Sequence, residues 1–111
     1  MPANPFRFGD FDLDAAGWVL RRRGEIVKLE RIPMELLFLL ACNAGRLVPR
    51  SQVVEHIWGK DHICDDSAVS SAVRKLRVAL GDSAEHPRFI ETVTGKGYRF
   101  VGELRQESPE I

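Results

Sequence analysis

The stretch that most constrains this chain is Asp66 to Gly81, DSAVSSAVRKLRVALG. Its periodicity fits one amphipathic helix. At about 100° per residue, Val69, Ala72, Val73, Leu76 and Leu80 fall within about 60° of one direction, the stripe expected to meet a core. Ser67, Ser71, Arg74 and Val78 fall opposite, with Ser70, Lys75 and Arg77 on the flanks. From Ser67 onward that outer surface carries cations and small hydroxyls and no acid, which suits a polyanion. Asp66 can accept from the first-turn amides as N-cap, and Gly81 suits a left-handed stop. A helix entering the DNA major groove needs slim residues near the base edges and long cations that reach guanine acceptors or phosphates. The same face also fits an ordinary core helix whose basic side is merely solvated.

The 111 residues are enough for one domain with a single core, and 44% are hydrophobic. No apolar run reaches the roughly 18 residues of a membrane span, and the N-terminus lacks a basic-then-apolar leader, so no membrane contact and a cytoplasmic location are expected. Cys42 and Cys64 have no CxxC spacing and read as reduced thiols. Net charge is zero, a poor global sign of a nucleic-acid binder, but the distribution is uneven. Residues 1–66 hold nine Lys/Arg against ten Asp/Glu, residues 67–101 six against three, and residues 102–111 one against three. The surplus of cations therefore lies with the candidate helix and its successor, and it suggests modest non-specific affinity and a need for paired copies on DNA.

Residues 5–28 alternate apolar and polar positions between Gly-containing turns, which predicts three or four short antiparallel strands. Phe6, Phe8, Phe11, Leu13, Trp18, Leu20, Ile26 and Leu29 are the expected buried set. Arg21, Arg22 and Arg23 read as a solvated strand end that discourages edge pairing, rather than a DNA or partner contact. Residues 33–44 form an apolar helix with Pro33 in its first turn and a stop at Gly45, and Cys42 is expected there as a small buried hydrophobe. A second helix starts at Ser51 as N-cap and runs to Trp58. Helix, turn and basic amphipathic helix follow the order of a helix-turn-helix reader, with a longer connection than usual between Gly59 and Asp66. Then FIETVTGKGYRFV reads as two strands joined through Gly95-Lys96-Gly97, a hairpin with one long side chain, Lys96, at its tip. TGKGYR does not match a phosphate-binding loop, which needs GxxxxGK[ST] opening a helix.

In this order and spacing the N-terminal strand block, the apolar helix with its Pro start, GRLVPRSQVVEHIWG, DDSAVSSAVRKLRVALGD and FIETVTGKGYRF resemble the winged helix-turn-helix effector domain of OmpR/PhoB-type bacterial transcription regulators. The resemblance spans residues 6–104. It implies an α+β fold: an N-terminal antiparallel β-sheet (5–30), a three-helix core (33–81) and a C-terminal β-hairpin wing (88–102). Residues 1–104 would form the DNA-binding domain, and 105–111 a tail or the start of a linker. By position, the recognition helix is Ser67 to Leu80, with Ser67, Ser70, Ser71, Arg74 and Lys75 facing bases or nearby phosphates and Arg77 facing the DNA backbone. Arg50 and Trp58 match phosphate-touching positions, and Tyr98 a wing position that can touch phosphate. Solvation of Arg50, core packing of Trp58 and wing packing of Tyr98 are the alternatives. Thr94 stands where relatives often place a minor-groove Arg, leaving Lys96 as its substitute, and Ile32 stands where many have a Ser/Thr helix cap.

The same resemblance aligns loop 59–66 with a segment some relatives use to touch RNA polymerase, against the alternative of a plain connector, and it implies tandem dimers on DNA. Response regulators of the family carry a phosphorylatable receiver before this domain. The fold here begins almost at Met1, as in CadC/ToxR-like regulators, and RQESPEI reads as a linker. His62 and Cys64 are two residues apart, too few ligands for a structural zinc site. No cofactor, metal or catalytic grouping is expected. The functional reading is sequence-specific double-stranded DNA binding, with a winged-helix protein-interaction module using Asp61 or Asp65 as the alternative.

Overall fold

A computed structural model describes residues 6–14, 17–59, 66–103 and 105–106, without the side chains of Asp66, Arg105 and Gln106. Four strands come first: β1 (Phe6–Phe8), β2 (Phe11–Asp14), β3 (Val19–Arg22) and β4 (Glu25–Val27). They are followed by α1 (Arg31–Cys42), β5 (Leu47–Pro49), α2 (Arg50–Trp58) and α3 (Asp66–Leu80). The hairpin strands β6 (Ile90–Val93) and β7 (Gly97–Phe100) and the two-residue β8 (Arg105–Gln106) complete the order. The expected α+β winged architecture is therefore present, with three helices and two antiparallel sheets of order β4-β3-β2-β1-β8 and β5-β7-β6.

Register decides which face of the first sheet is buried. The row Leu13, Leu20 and Val27 faces the helices, whereas the row Arg7, Asp12, Arg21 and Ile26 faces solvent. Ile26 was expected in the core but is 65% exposed. In a strand of three residues the apolar pair Ile26-Val27 fits either face, and pairing with Leu20 selects Val27; a one-residue choice inverts every side chain. Trp18 is also largely exposed, at 49%, but stacks on Phe38 of α1 with ring centroids 4.4 Å apart. The arginine run is used within the sheet: Arg23 bonds Asp10 at 3.0 Å, Arg21 approaches Asp14 at 4.0 Å and Arg22 lies over the Phe11 ring.

Phe8, Phe11, Phe89 and Phe100 form an aromatic cluster that joins the N-terminal sheet to the wing, with stacked and edge-on contacts at 5.2 to 5.9 Å between centroids. Such pairs contribute beyond the area they bury. The helices fill the rest of one continuous core, in which Leu36, Leu37 and Leu40 of α1 lie with Val69, Val73, Leu76 and Leu80 of α3. Cys42, expected to be buried, is exposed. It lies about 200° around the helix from buried Leu40, and an almost wholly apolar sequence gave no polar stripe to mark that side.

All three helix starts differ from expectation, and α3 includes Asp66, expected as its N-cap, as its first residue. α1 begins at Arg31, so Ile32 sits inside the first turn and Glu30 is the N-cap. α2 begins at Arg50 with Pro49 as N-cap, leaving Ser51 in the first turn. Pro49 ends β5, a strand absent from the expected set, which pairs with β7 through Val48↔Tyr98 and Pro49↔Gly97. Residues 105 and 106, expected in the tail, pair with Phe6 and Arg7.

Gly97 explains how β5 fits. It lies in β7 opposite Val93 rather than in the turn, and a Cβ built there would overlap the Val48 carbonyl oxygen and come 2.9 Å from Pro49 Cα. The hairpin turn is instead Thr94-Gly95-Lys96, closed by Lys96 N–H donating to Val93 O at 2.9 Å. Gly97→Ala is expected to lower stability by about 1–3 kcal/mol by forcing β5 from β7, the usual cost of overpacking, as read by urea denaturation.

Candidate nucleic-acid interface

The apolar stripe of α3 is buried as its periodicity requires: Val69, Ala72, Val73, Leu76 and Leu80 all lie in the core. Ser67, Ser70, Ser71, Arg74 and Lys75 are exposed, and Val78 is 75% exposed on the same side. Burial on one face thus fixes what the other presents. Arg74 has no hydrogen-bond or ion-pair partner among the described residues, so its guanidinium and its five donors face solvent. Lys75 Nζ lies 2.9 Å from Glu30 Oε1.

Arg77, expected to face the DNA backbone, also makes contacts within the molecule. Its Nη2 donates to Ile90 O and to Thr92 Oγ1, both at 2.8 Å, so the side chain bridges α3 to wing strand β6. A flank position on the helical wheel is compatible with either a DNA backbone contact or this inward bridge, and the wheel does not contain the wing.

The end of α3 reinforces the bridge. Gly81 takes φ of 66°, its N–H donates to Val78 O, and Asp82 N–H donates to Arg77 O at 2.8 Å. These two bonds form a Schellman stop. The Asp82 carboxylate then accepts from the backbone N–H groups of Ser83 and Arg88 on Oδ1 and of Phe89 and Ile90 on Oδ2, at 2.7 to 3.1 Å. Burial pushes this carboxyl upward, but the N–H donors of Arg88, Ile90, Ser83 and Phe89 together outweigh burial and hold it below the usual carboxylate value. In sequence DSAEHPR is a polar stretch without periodicity, and the one signal of this cluster is an Asp directly after the glycine stop.

Beyond the hairpin strands, Thr94 and Lys96 are exposed at the wing tip. Arg50, half-buried at the start of α2, donates its backbone N–H to Lys96 O at 3.3 Å. The Arg50 side chain lines a small cleft beneath the tip with Thr92, Lys96 and Tyr98. Tyr98 is only 6% exposed, so its ring serves mainly as wing packing. Trp58 is half-buried against the core and lines a groove with Ala68, Ser71, Ala72 and Lys75. The structure therefore brings Ser67, Ser70, Ser71, Arg74 and Lys75 together on α3, and Arg50, Thr94, Lys96 and Tyr98 at the wing, with Arg77 as the link. Residues 60–65, including Asp61, His62, Cys64 and Asp65, lie outside the described residues, as does most of the segment aligned with a polymerase contact.

With this geometry in view, the comparisons with known proteins are specific. The family described as transcriptional regulatory protein, C terminal, matches residues 24–100. The chain belongs to this family, the OmpR/PhoB-type winged-helix DNA-binding domains of transcriptional regulators, which is not a class of enzymes. It is 34% identical over 102 residues to the transcriptional activator protein IrlR of Burkholderia pseudomallei, covering 92% of this chain and 43% of IrlR. It is 31% identical over 98 residues to the DNA-binding response regulator MtrA of Mycolicibacterium smegmatis, covering 88% of this chain and 43% of MtrA. The chain thus spans less than half the length of these curated relatives.

Among solved structures, it resembles the Klebsiella pneumoniae RstA DNA-binding domain in complex with the RstA box, with TM-score 0.78, 31% identity and coverage of 87% and 96% of the two chains. It also resembles the Thermotoga maritima response regulator DrrB, an OmpR/PhoB homologue, with TM-score 0.79, 33% identity and coverage of 88% and 44%. Among the described residues no helix is long and apolar enough to cross a membrane.

Asp82 gives this interface an acid-sensitive joint. Because its folded pKa is depressed, its contribution to stability is fully present above the unfolded value near pH 4 and is lost as pH falls through the lower folded value. Asp82→Asn places an amide donor against backbone donors. It is expected to cost about 2 kcal/mol at pH 7 and to flatten the stability profile below about pH 4, measured by urea melts across pH.

Proposed function

We propose that this chain binds double-stranded DNA sequence-specifically as the output module of a bacterial transcriptional regulator. α3 enters the major groove, and the wing lies along the adjacent minor groove or backbone. The observation that carries this reading is the Arg77 bridge, which holds the acid-free outer face of Ser67–Leu80 beside a wing tipped by Lys96. Ser67, Ser70 and Ser71 are slim enough to let the helix approach base edges. Arg74 has the reach and bidentate geometry for guanine O6 and N7, and Lys75 can meet a base edge or a phosphate. Arg50 and Lys96 supply phosphate contacts that position the domain without reading sequence. Thr94 is a short polar contact at the tip, and Trp58 and Tyr98 act chiefly by supporting the surfaces around them. The DNA-binding unit, expected to end at residue 104, extends through β8, which closes the N-terminal sheet on β1.

The resemblance supports three further parts of the proposal: paired copies on tandem sites, a contact between loop 59–66 and RNA polymerase, and action in the cytoplasm. The RstA box complex of a relative covering 87% of this chain supports duplex DNA as partner. IrlR and MtrA, named as an activator and a response regulator, support a role in signal-dependent transcription.

Selection of a binding site from a random duplex pool, followed by fluorescence anisotropy with the selected duplex, tests the reading. Arg74→Ala is expected to weaken binding by about 1–3 kcal/mol and to relax preference at one or two positions of the site. Lys96→Ala should weaken specific and random duplexes alike and lower the salt slope by about one. Unchanged binding in both variants would refute this placement of helix and wing.

A further inference from the structure

The contact that the DNA-binding surface does not by itself explain is Glu30 with Lys75. Glu30 occupies the N-cap of α1, where a short acceptor side chain would normally satisfy a first-turn N–H, but its side chain makes no capping bond. It reaches instead across the interhelical groove, where Oε1 meets Lys75 Nζ at 2.9 Å. Both side chains are well exposed, at 71% for Glu30 and 56% for Lys75. The bridge stands between two open grooves that share Glu30, Pro33, Ser71 and Lys75, one continuing along Arg74 and Val78 and the other toward Trp58. An acid therefore sits at the border of the α3 face that otherwise carries no acid.

We propose that Glu30 is a positioning residue that holds Lys75 against α1 and so limits how many phosphates the domain neutralises on arbitrary duplex. This inference rests on the DNA-binding reading. An exposed ion pair is weak, within about 1 kcal/mol, and is therefore breakable by a better anion. On random duplex, where α3 lacks its matched base contacts, Lys75 stays with the carboxylate and contributes little counterion release. On a matched site, the closer approach of α3 brings phosphate or a base acceptor within reach, and Lys75 exchanges Glu30 for it. Glu30 thereby favours specific over non-specific complexes. Removing its charge frees Lys75 for phosphate on any sequence.

Glu30→Gln keeps the shape and removes the charge. The test measures binding to a random duplex and to a selected site by anisotropy over a range of salt, for the wild type, Glu30→Gln, Lys75→Gln and the double variant. Glu30→Gln is expected to bind random duplex about two- to fivefold tighter, with a salt slope steeper by about one counterion, and to gain less on the selected site. In the Lys75→Gln background the same change should have no effect, because the cation it releases is gone. Identical affinities and slopes for wild type and Glu30→Gln would overturn the inference. So would an equal gain with and without Lys75, which would assign Glu30 to direct repulsion of phosphate. A wild type that binds no duplex even at low salt would instead overturn the DNA-binding reading, and the inference with it.

Discussion

The functional geometry depends most on one carboxylate. Asp82, the second residue after the end of α3, accepts four backbone N–H groups from the loop and the first residue of β6. Those donors would otherwise need water or other partners at a place where the chain reverses direction. Their convergence fixes where the wing departs from the helix, and Arg77 fastens the two elements a second time through Ile90 and Thr92. On the proposed reading, in which helix and hairpin meet one duplex together, such a joint matters because a small tilt between them would misplace the wing tip.

Charge on this molecule is organised locally. The N-terminal sheet and its turns pair three arginines with acids, Arg7 with Asp12, Arg21 with Asp14 and Arg23 with Asp10, while Arg31 meets Glu35 on α1. On the wing Arg99 pairs with Glu91. Against that background Arg74 and Lys96 extend from α3 and the wing tip without partners among the described residues. A net charge of zero is therefore compatible with a basic working face, since screening confines the field of exposed charges to about 10 Å at ordinary ionic strength.

What was legible in the sequence followed from periodicity and punctuation. The stripe of α3, the exposure of Val78, the glycine stop at Gly81 and the existence of the hairpin all appear in the structure where the pattern placed them. Elements of two or three residues were not legible. β5 and β8 are too short to show alternation, and the face of β4 turned on whether Ile26 or Val27 matched Leu20. Gly97 was expected in the turn, whereas it lies in β7 and lets β5 approach. Long-range polar partners were also hidden. The Glu30–Lys75 contact spans 45 positions, and neither it nor the Asp82 cluster leaves a local sequence pattern beyond the presence of an acid.

The most direct test of the central claim, that α3 and the wing form one DNA-facing surface, is backbone amide NMR during titration with a selected duplex. Amides of Ser67, Ser71, Arg74 and Lys96 are expected to shift together with a common binding curve, while those of β2 to β4 stay in place. Shifts concentrated in the N-terminal sheet, or shifts in the wing without any in α3, would contradict the claim.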